Sequence, residues 1–532
     1  MVNKFRTDAL LSRWFPAIGL ILAGSINTLA YAPFNLWWLP FFTFTLLFYS
    51  LERASTAKYA RTLGLCFGLG WFGAGISWVH VAIADFGGLP IAASLLLMGL
   101  LILYLALYPA LFGWAYKKLT QRFIGLPLTL IMPLLWLIAE SLRGVFLTGF
   151  PWLSIGYSQT EGPLRALAPV VGEFGLQAIV VFVTASLAQL LIKVKQNKLR
   201  FNSSIYILPF VSIFTAATIL NNASWSGPTH KQVKVAMVQG NIAQSIKWQP
   251  ENEWPTMQTY LKLSTSFFDD HDLIIWPEAA IPRLEILSKE FLHEVDSIAA
   301  QSNTALITGI VDYQPDTTNA YNNIIVLGNK NSGDEHGHYR YGHSNRFNKH
   351  HLLPIGEFVP LESVLREIAP LFDLPMSSFS RGYYQQDNLI ANGLNLSPAI
   401  CFEIAFADQV RANLYNNSDV ILTLSNDAWF GASHGPWQHL QIAQMRALEM
   451  AMPVIRVTNN GVTAVINSDG TIAAQLPQFE QAVLSHTVDI ALSQTPYKTL
   501  GNLIAWLFTL VLAGIAVVVQ WRSRALNADK QS

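Results

Sequence analysis

Of 532 residues, 52% are apolar and only 13% charged, and 34 basic side chains cancel 34 acidic ones. So apolar a composition excludes an ordinary soluble domain, and the absent basic surplus removes the usual means of holding nucleic acid. Part of the chain belongs in lipid.

A bilayer-crossing helix needs ~20 mostly apolar residues, with ~17 as the lower end. Seven runs before residue 225 fit: Trp14 to Phe34, Leu36 to Leu51, Thr62 to Val81, Leu89 to Tyr116, Ile124 to Ala139, Phe174 to Ile192 and Ser204 to Leu220. An eighth is Thr499 to Trp521. Lysine and arginine stay on the cytoplasmic side. They gather before the first run (Lys4, Arg6, Arg13), after the second (Arg53, Lys58, Arg61), after the fourth (Lys117, Lys118, Arg122), after the sixth (Lys193, Lys195, Lys198, Arg200) and after the eighth (Arg522, Arg524). Every second connection is basic, which predicts eight transmembrane helices with both termini cytoplasmic. The expected organisation is a seven-helix region over 1–221, an extracytoplasmic domain over 222–498, an eighth helix over 499–521 and a cytoplasmic tail over 522–532. The Ala30-Tyr31-Ala32 sequence resembles a signal-peptide cleavage site, but further spans follow at once and removal would leave the sidedness unchanged. A transporter would show paired interrupted helices or charges in mid-span; Glu140 and Arg143 alone hint at this. The connection Glu140-Ser-Leu-Arg-Gly144 to Thr148-Gly-Phe-Pro-Trp-Leu153 is rich in helix breakers and amphipathic rings. It reads equally as an interfacial anchor or as a lipid-facing rim beside an active site.

The domain that follows has another texture. Val233 to Val238, Leu273 to Trp276, Ala305 to Gly309, Ile324 to Leu327, Ala399 to Cys401 and Val420 to Leu424 are strand-length apolar runs, and Glu285 to Ala300 and Trp437 to Met452 have helical spacing. Pro453 to Val457 and Val462 to Ile466, joined through Asn459-Asn-Gly461, predict a hairpin. About 270 residues of this kind suffice for one large α/β domain.

Three short motifs end or follow strands: Trp276-Pro-Glu278, Lys349 with Glu357 eight residues on, and Cys401-Phe-Glu403. Cys66 lies in an apolar, glycine-rich run and is not expected to pair with Cys401, which leaves a free thiol. A carboxylate can take the thiol proton, an ammonium can favour the thiolate and hold a tetrahedral oxyanion, and the thiolate can attack a carbonyl. Singly, Glu278 could cap a helix, Lys349 could be solvated and Cys401 could be core. In order, with Gln239-Gly-Asn241 and Asn426-Asp-Ala-Trp429, the three resemble the Glu-Lys-Cys signature of the nitrilase superfamily. Joined to the membrane spans, Thr148-Gly-Phe-Pro-Trp152 and Gly240-Asn-Ile-Ala-Gln-Ser-Ile-Lys-Trp248, the whole resembles its membrane-bound branch, the apolipoprotein N-acyltransferases.

That resemblance implies a membrane protein with an α/β nitrilase-like αββα sandwich on the periplasmic face of a bacterial inner membrane, working by a ping-pong mechanism. Glu278 would be the general base, Cys401 the nucleophile and Lys349 the oxyanion stabiliser, with Glu357 orienting Lys349 and Glu403 supporting the site. The acyl donor would be a phospholipid such as phosphatidylethanolamine, and the acceptor the α-amine of a diacylglyceryl-cysteine at the start of an apolipoprotein. Trp248 and Trp152 are the residues expected to meet lipid chains. Phe402 stands where some members of the family carry tyrosine, so no hydroxyl is available there. No cofactor and no nucleic-acid partner are expected, and a monomer is. A His-rich tract, His336, His338, His343, His350 and His351, fits no standard zinc spacing, and no metal is expected. The rivals are a membrane-tethered amidase using the same thiol, and a lipid-binding protein without catalysis.

Overall fold

The computed structural model describes residues 2–86, 90–123, 127–196, 205–328, 339–354, 356–358 and 379–528. Lys198, Arg200, His336 and His338 lie outside these, as do the expected span boundaries at Leu89, Ile124 and Ser204. The chain divides into two compact units: one comprises residues 1–80, 90–223 and 499–532, the other 81–89 and 224–498.

The first unit is helical. Among the described residues, three stretches are long and apolar enough to cross a membrane: Ile91–Arg122, Pro163–Lys195 and Leu503–Arg522. They match the expected fourth, sixth and eighth spans. The apolar helices Trp14–Ala30 and Leu208–Leu220 are shorter, and Leu39–Arg53, Ala57–Gly75 and Met132–Val145 fall outside that class, so three of the eight spans read from sequence are matched by helices of spanning length and the count of eight is not confirmed. The third expected run is displaced towards the amino terminus because Thr56 caps a helix at Ala57, its hydroxyl accepting from the Tyr59 N–H at 3.1 Å. The fifth begins only at Met132, with Pro133 in its first turn. Gly64 and Gly68 let this helical unit pack closely: a Cβ on Gly64 would lie 2.2 Å from the Pro109 carbonyl oxygen, and one on Gly68 2.8 Å from Ala106 Cα.

The stretch Glu140–Gly144, expected as a connection, is instead the end of the helix Met132–Val145. Its charges pair inside the unit. Arg143, 1% exposed, donates from Nε to Glu140 Oε1 at 3.0 Å and from Nη1 to the Trp152 carbonyl at 2.8 Å and the Phe150 carbonyl at 2.5 Å. Tyr31 donates to the next carbonyl, Leu153, at 2.7 Å. These donors satisfy a turn in which Leu147, Thr148, Gly149 and Leu153 all have positive φ.

Among the described residues, the second unit is built on thirteen strands. In the first half of the unit they are β1 (Ser226–Gln239), β2 (Leu273–Ile275), β3 (Ile281–Leu284), β4 (Ala305–Gln314), β5 (Asn319–Leu327) and β6 (Arg346–Asn348). There follow β7 (Leu389–Ala391), β8 (Leu394–Ile400), β9 (Val420–Ser425), β10 (Val454–Thr458), β11 (Ala464–Ile466), β12 (Ile472–Gln475) and β13 (Ala482–Ser493). One sheet runs β13-β1-β2-β4-β5-β6 with β3 beside β4, and the other β12-β11-β10-β9-β8-β7. Strand alternation explains the layers. On β1, Val233, Val235 and Met237 join Leu396, Leu422, Ile455 and others between the sheets, while Ala236 and Val238 face Met257, Tyr260, Leu292 and Val295 of the helices Pro250–Ser264 and Lys289–Gln301. The helix Gly435–Met450, buried along almost its whole length, packs on the second sheet. The layers are therefore helix, sheet, sheet, helix, and burying each large aliphatic side chain between the sheets contributes roughly 1.5–3 kcal/mol.

Gly309 on β4 carries one further constraint. A Cβ there would lie 2.5 Å from Ala279 N and 2.7 Å from Glu278 Cα, so the bare backbone of β4 is what admits the turn after β2. Gly309→Ala is expected to lower stability by about 1–3 kcal/mol through overpacking, read as a fall in melting temperature, and to reduce activity by displacing Glu278; a variant that melts and reacts like the parent would refute this.

Candidate active site

Strands β1, β2 and β4 run parallel in one sheet and β8, β9 and β10 in the other. Reacting groups of α/β domains collect beyond the carboxyl ends of such strands. Here β2 runs out into Trp276-Pro277-Glu278, β8 into Cys401 and β9 into Asn426. The two sheets meet chemically where the Asn426 N–H donates to Glu278 Oε2 at 2.9 Å. Asn459, beyond β10, donates to the Asn426 side-chain oxygen at 3.0 Å and to the Ile242 carbonyl at 2.7 Å, stitching a third strand end to the first.

Lys349 follows β6 and is 2% exposed. Its Nζ donates to Glu357 Oε1 at 2.9 Å and to Glu278 Oε1 at 3.3 Å. Burial opposes its charge, but the two carboxylates more than reverse that and hold the ammonium well above the ordinary lysine range. Asn322 on β5 donates one Nδ2 to both carboxylates, at 2.7 Å to Glu278 and 2.9 Å to Glu357, and Glu357 is fixed from its other oxygen by the Leu353 N–H at 2.8 Å.

Cys401 opens a tight turn, Cys401–Ala405, with φ +53, the left-handed region that costs a side-chain-bearing residue ~1–3 kcal/mol. Glu403 holds that turn. Its Oε2 accepts from the Ile400 N–H at 2.8 Å, and its Oε1 from the N–H groups of His350 and His351 at 2.7 and 3.1 Å and from Gln409 Nε2 at 2.8 Å. Burial pushes the Glu403 carboxyl up while these donors pull it down; all four being N–H donors, the site is shaped for the carboxylate. The same residue thus ties the cysteine turn to the residues just after Lys349.

The thiol is 9% exposed. Burial and the Glu278 carboxylate push it up, and the Lys349 ammonium pulls it down. The net effect is a resting thiol, not a resting thiolate, so chemistry here needs a base at the moment of attack. Glu278, Lys349, Glu357, Cys401 and Glu403 are accordingly gathered around one point. Trp248 ends the short helix Gln244–Lys247 and is half-buried. Trp152 lies in the helical unit, 2% exposed, packed against the rings of Trp78 and Phe150. Phe402 packs edge-on to Phe406. Of the histidines, His351 stacks on Phe406 and is pushed by burial to about 4, and His350 bonds the Gly382 carbonyl. Among the described residues, no group of three or more His, Cys, Asp or Glu could hold a metal ion.

Sequence reasoning missed Asn322, the role of Asn426, and Lys247. The last is wholly buried, donates from Nζ to the Glu278 carbonyl at 3.2 Å, and is pushed down to about 8 by burial. The available signal was polar residues within apolar runs, as in Asn322-Asn323-Ile-Ile325.

The helix-sheet-sheet-helix unit, with a buried cysteine at a strand end electrostatically coupled to a lysine between two glutamates, matches over residues 234–497 the profile described as carbon-nitrogen hydrolase. The apolipoprotein N-acyltransferase N-terminal domain matches residues 23–186. Proteins of that name from Shewanella oneidensis (46% identical, covering 94% of this chain and 96% of the relative) and Vibrio vulnificus (44% identical, 98% and 100%) align over nearly the full length. The chain belongs to the apolipoprotein N-acyltransferase family and is an acyltransferase. Among solved structures, Saccharomyces cerevisiae Nit3 of the nitrilase superfamily (16% identity, TM-score 0.37) covers 50% of this chain and 93% of its own, and a carbon-nitrogen hydrolase from Helicobacter pylori (12%, 0.36) covers 49% and 90%.

Two outcomes check the site. Lys349→Met removes the charge that favours the thiolate, so the pH at which iodoacetamide alkylates Cys401 half-maximally should move up; an unchanged or lower midpoint contradicts the electrostatics. Glu403→Gln sets an amide N–H against backbone donors, and should cost about 1–3 kcal/mol in thermal unfolding together with activity.

Proposed function

We propose that this protein transfers an acyl chain from a phospholipid, through a thioester on Cys401, to the α-amine of the S-diacylglyceryl-cysteine at the start of an apolipoprotein. The observation that carries the reading is the Lys349 ammonium held between the Glu278 and Glu357 carboxylates, electrostatically coupled to the Cys401 thiol. In the first half-reaction Glu278 takes the thiol proton as sulfur attacks the ester carbonyl carbon. The oxyanion is held by Lys349. Collapse expels the lysophospholipid alkoxide, which takes the proton back from Glu278. In the second, the acceptor amine attacks the thioester carbonyl, Glu278 receives the amine proton, and the sulfur leaves and is reprotonated. Glu357 and Glu403 position Lys349 and Cys401. Trp248, half-buried next to Lys247, meets the acyl chain; Trp152, expected to do the same, is instead buried against Trp78 and Phe150 within the helical unit.

A phospholipid donor suits a membrane-seated enzyme, since exposing an acyl chain to water costs ~0.8 kcal/mol per methylene. The alternation of basic connections supports eight spans with both termini cytoplasmic and the catalytic unit on the opposite side; the periplasmic face of a bacterial inner membrane and phosphatidylethanolamine as donor rest on the family resemblance. A monomer suffices for this chemistry, because the Glu, Lys and Cys all come from one chain.

Intact-protein mass spectrometry after incubating the detergent-solubilised protein with a defined phospholipid tests this. A hydroxylamine-labile gain of one acyl chain, absent from Cys401→Ala, is expected. A folded protein that releases free fatty acid without transfer to a diacylated lipopeptide would be an amidase-like hydrolase, and one that gains nothing would be a lipid binder. Lys349→Met should slow thioester formation on the order of a hundredfold or more while leaving phospholipid binding nearly unchanged; equal losses in both would remove the oxyanion role.

A further inference from the structure

The second sheet carries a buried charged cluster directly behind the nucleophile. Asp427 follows β9, Arg456 lies on β10 and His439 on the helix Gly435–Met450; His439 and Arg456 are 0% exposed and Asp427 1%. Arg456 Nη2 is 2.6 Å from Asp427 Oδ2 and 3.1 Å from His439 Nδ1, and Nδ1 is 3.1 Å from Asp427 Oδ1. The other ring nitrogen, Nε2, lies 2.9 Å from the main-chain carbonyl oxygen of Cys401.

A carbonyl only accepts, so Nε2 carries a hydrogen. Nδ1 faces both Arg456, which only donates, and Asp427 Oδ1, which only accepts; in the neutral ring, whose one hydrogen is on Nε2, it accepts from Arg456. Burial and the neighbouring guanidinium both push His439 down, in keeping with a neutral ring, and against the upward push of burial the Arg456 guanidinium holds Asp427 well below the usual carboxylate range. The Asp427 charge is spent on Arg456 and on Ser425, whose hydroxyl donates to Oδ1 at 2.6 Å. The cluster is walled in: a Cβ on Gly461 would lie 2.3 Å from Asp427 Oδ2. It grips Cys401 by its carbonyl, through His439, at the residue whose φ is +53.

We propose that Asp427, Arg456 and His439 form a positioning cluster that holds Cys401 in its left-handed conformation through the His439-to-carbonyl bond. None of the three touches the reacting acyl group. The proposal rests on Cys401 being the nucleophile of the reaction above. Without the His439 bond the turn can relax toward ordinary φ, carrying the sulfur away from Glu278 and Lys349, and a misplacement of ~1 Å can cost on the order of a hundredfold in rate.

The test uses the full chain in detergent, with thioester formation from a defined phospholipid followed against donor concentration, iodoacetamide alkylation followed against pH, and thermal unfolding of each variant. His439→Gln keeps an N–H donor for the carbonyl and should acylate within about tenfold of the parent. His439→Leu should lose on the order of a hundredfold in maximal rate at unchanged half-saturating phospholipid. A folded His439→Leu that reacts like the parent, a folded His439→Gln no better than the leucine variant, or losses confined to half-saturation would each overturn the proposal. If His439→Leu does not fold, His439→Ala takes its place against the glutamine variant. If the parent forms no thioester, the proposed reaction fails, and the alkylation data alone judge the positioning: His439→Leu reactivity unchanged from the parent rejects it.

Discussion

An ammonium can be buried as deeply as that of Lys349 only if negative charge comes with it, because the desolvation cost of a lone ion in a protein interior is several kcal/mol. Two carboxylates and one shared asparagine meet that condition. Each of them must in turn be held. Glu278 needs the turn after β2, which needs the bare backbone of Gly309 on β4; Glu357 needs the Leu353 N–H; and Asn322 needs its place on β5, whose carbonyl also receives the Lys349 N–H at 2.8 Å. The edge of the first sheet is in this sense arranged around one charge.

The second sheet supplies the opposite kind of group, a thiol kept protonated by burial and by the carboxylate beside it. A thiolate standing permanently next to Lys349 would be a weaker base and a poorer nucleophile than one generated during attack, since nucleophilicity falls with thiol pKa. Glu403 joins the two halves with four hydrogen bonds reaching Ile400, His350, His351 and Gln409. The nucleophile and the residues following the lysine thus move as one body.

What was legible in the sequence follows the physics of each signal. Strands such as Val233 to Val238 and Val420 to Leu424 announce themselves by apolar runs, and the hairpin around Asn459-Asn-Gly461 by its turn residues. The proposed triad was legible because each member sits in a short, local wording, as in Trp276-Pro-Glu278 or Cys401-Phe-Glu403. Asn322 and Lys247 were not, since their roles come from tertiary contacts with Glu278 across 44 and 31 residues of chain. The same limit explains the helical unit: Glu140 and Arg143 break the apolar pattern, so hydropathy ends a span there, whereas the helix continues because the two charges satisfy each other and two carbonyls. Apolar run length also could not show that the helix Met132–Val145 starts at a proline some residues into its run.

The Asn426 N–H on Glu278 joins a carboxylate from one sheet to the strand end of the other. Neither sheet holds a complete set: the base and the ammonium come from the first, the sulfur and its turn from the second. During biogenesis the chain therefore passes through no half-built state able to capture an acyl group. Reactivity becomes a reporter of full docking of the sandwich, because the thiol meets neither the carboxylate nor the ammonium until the two sheets have come together.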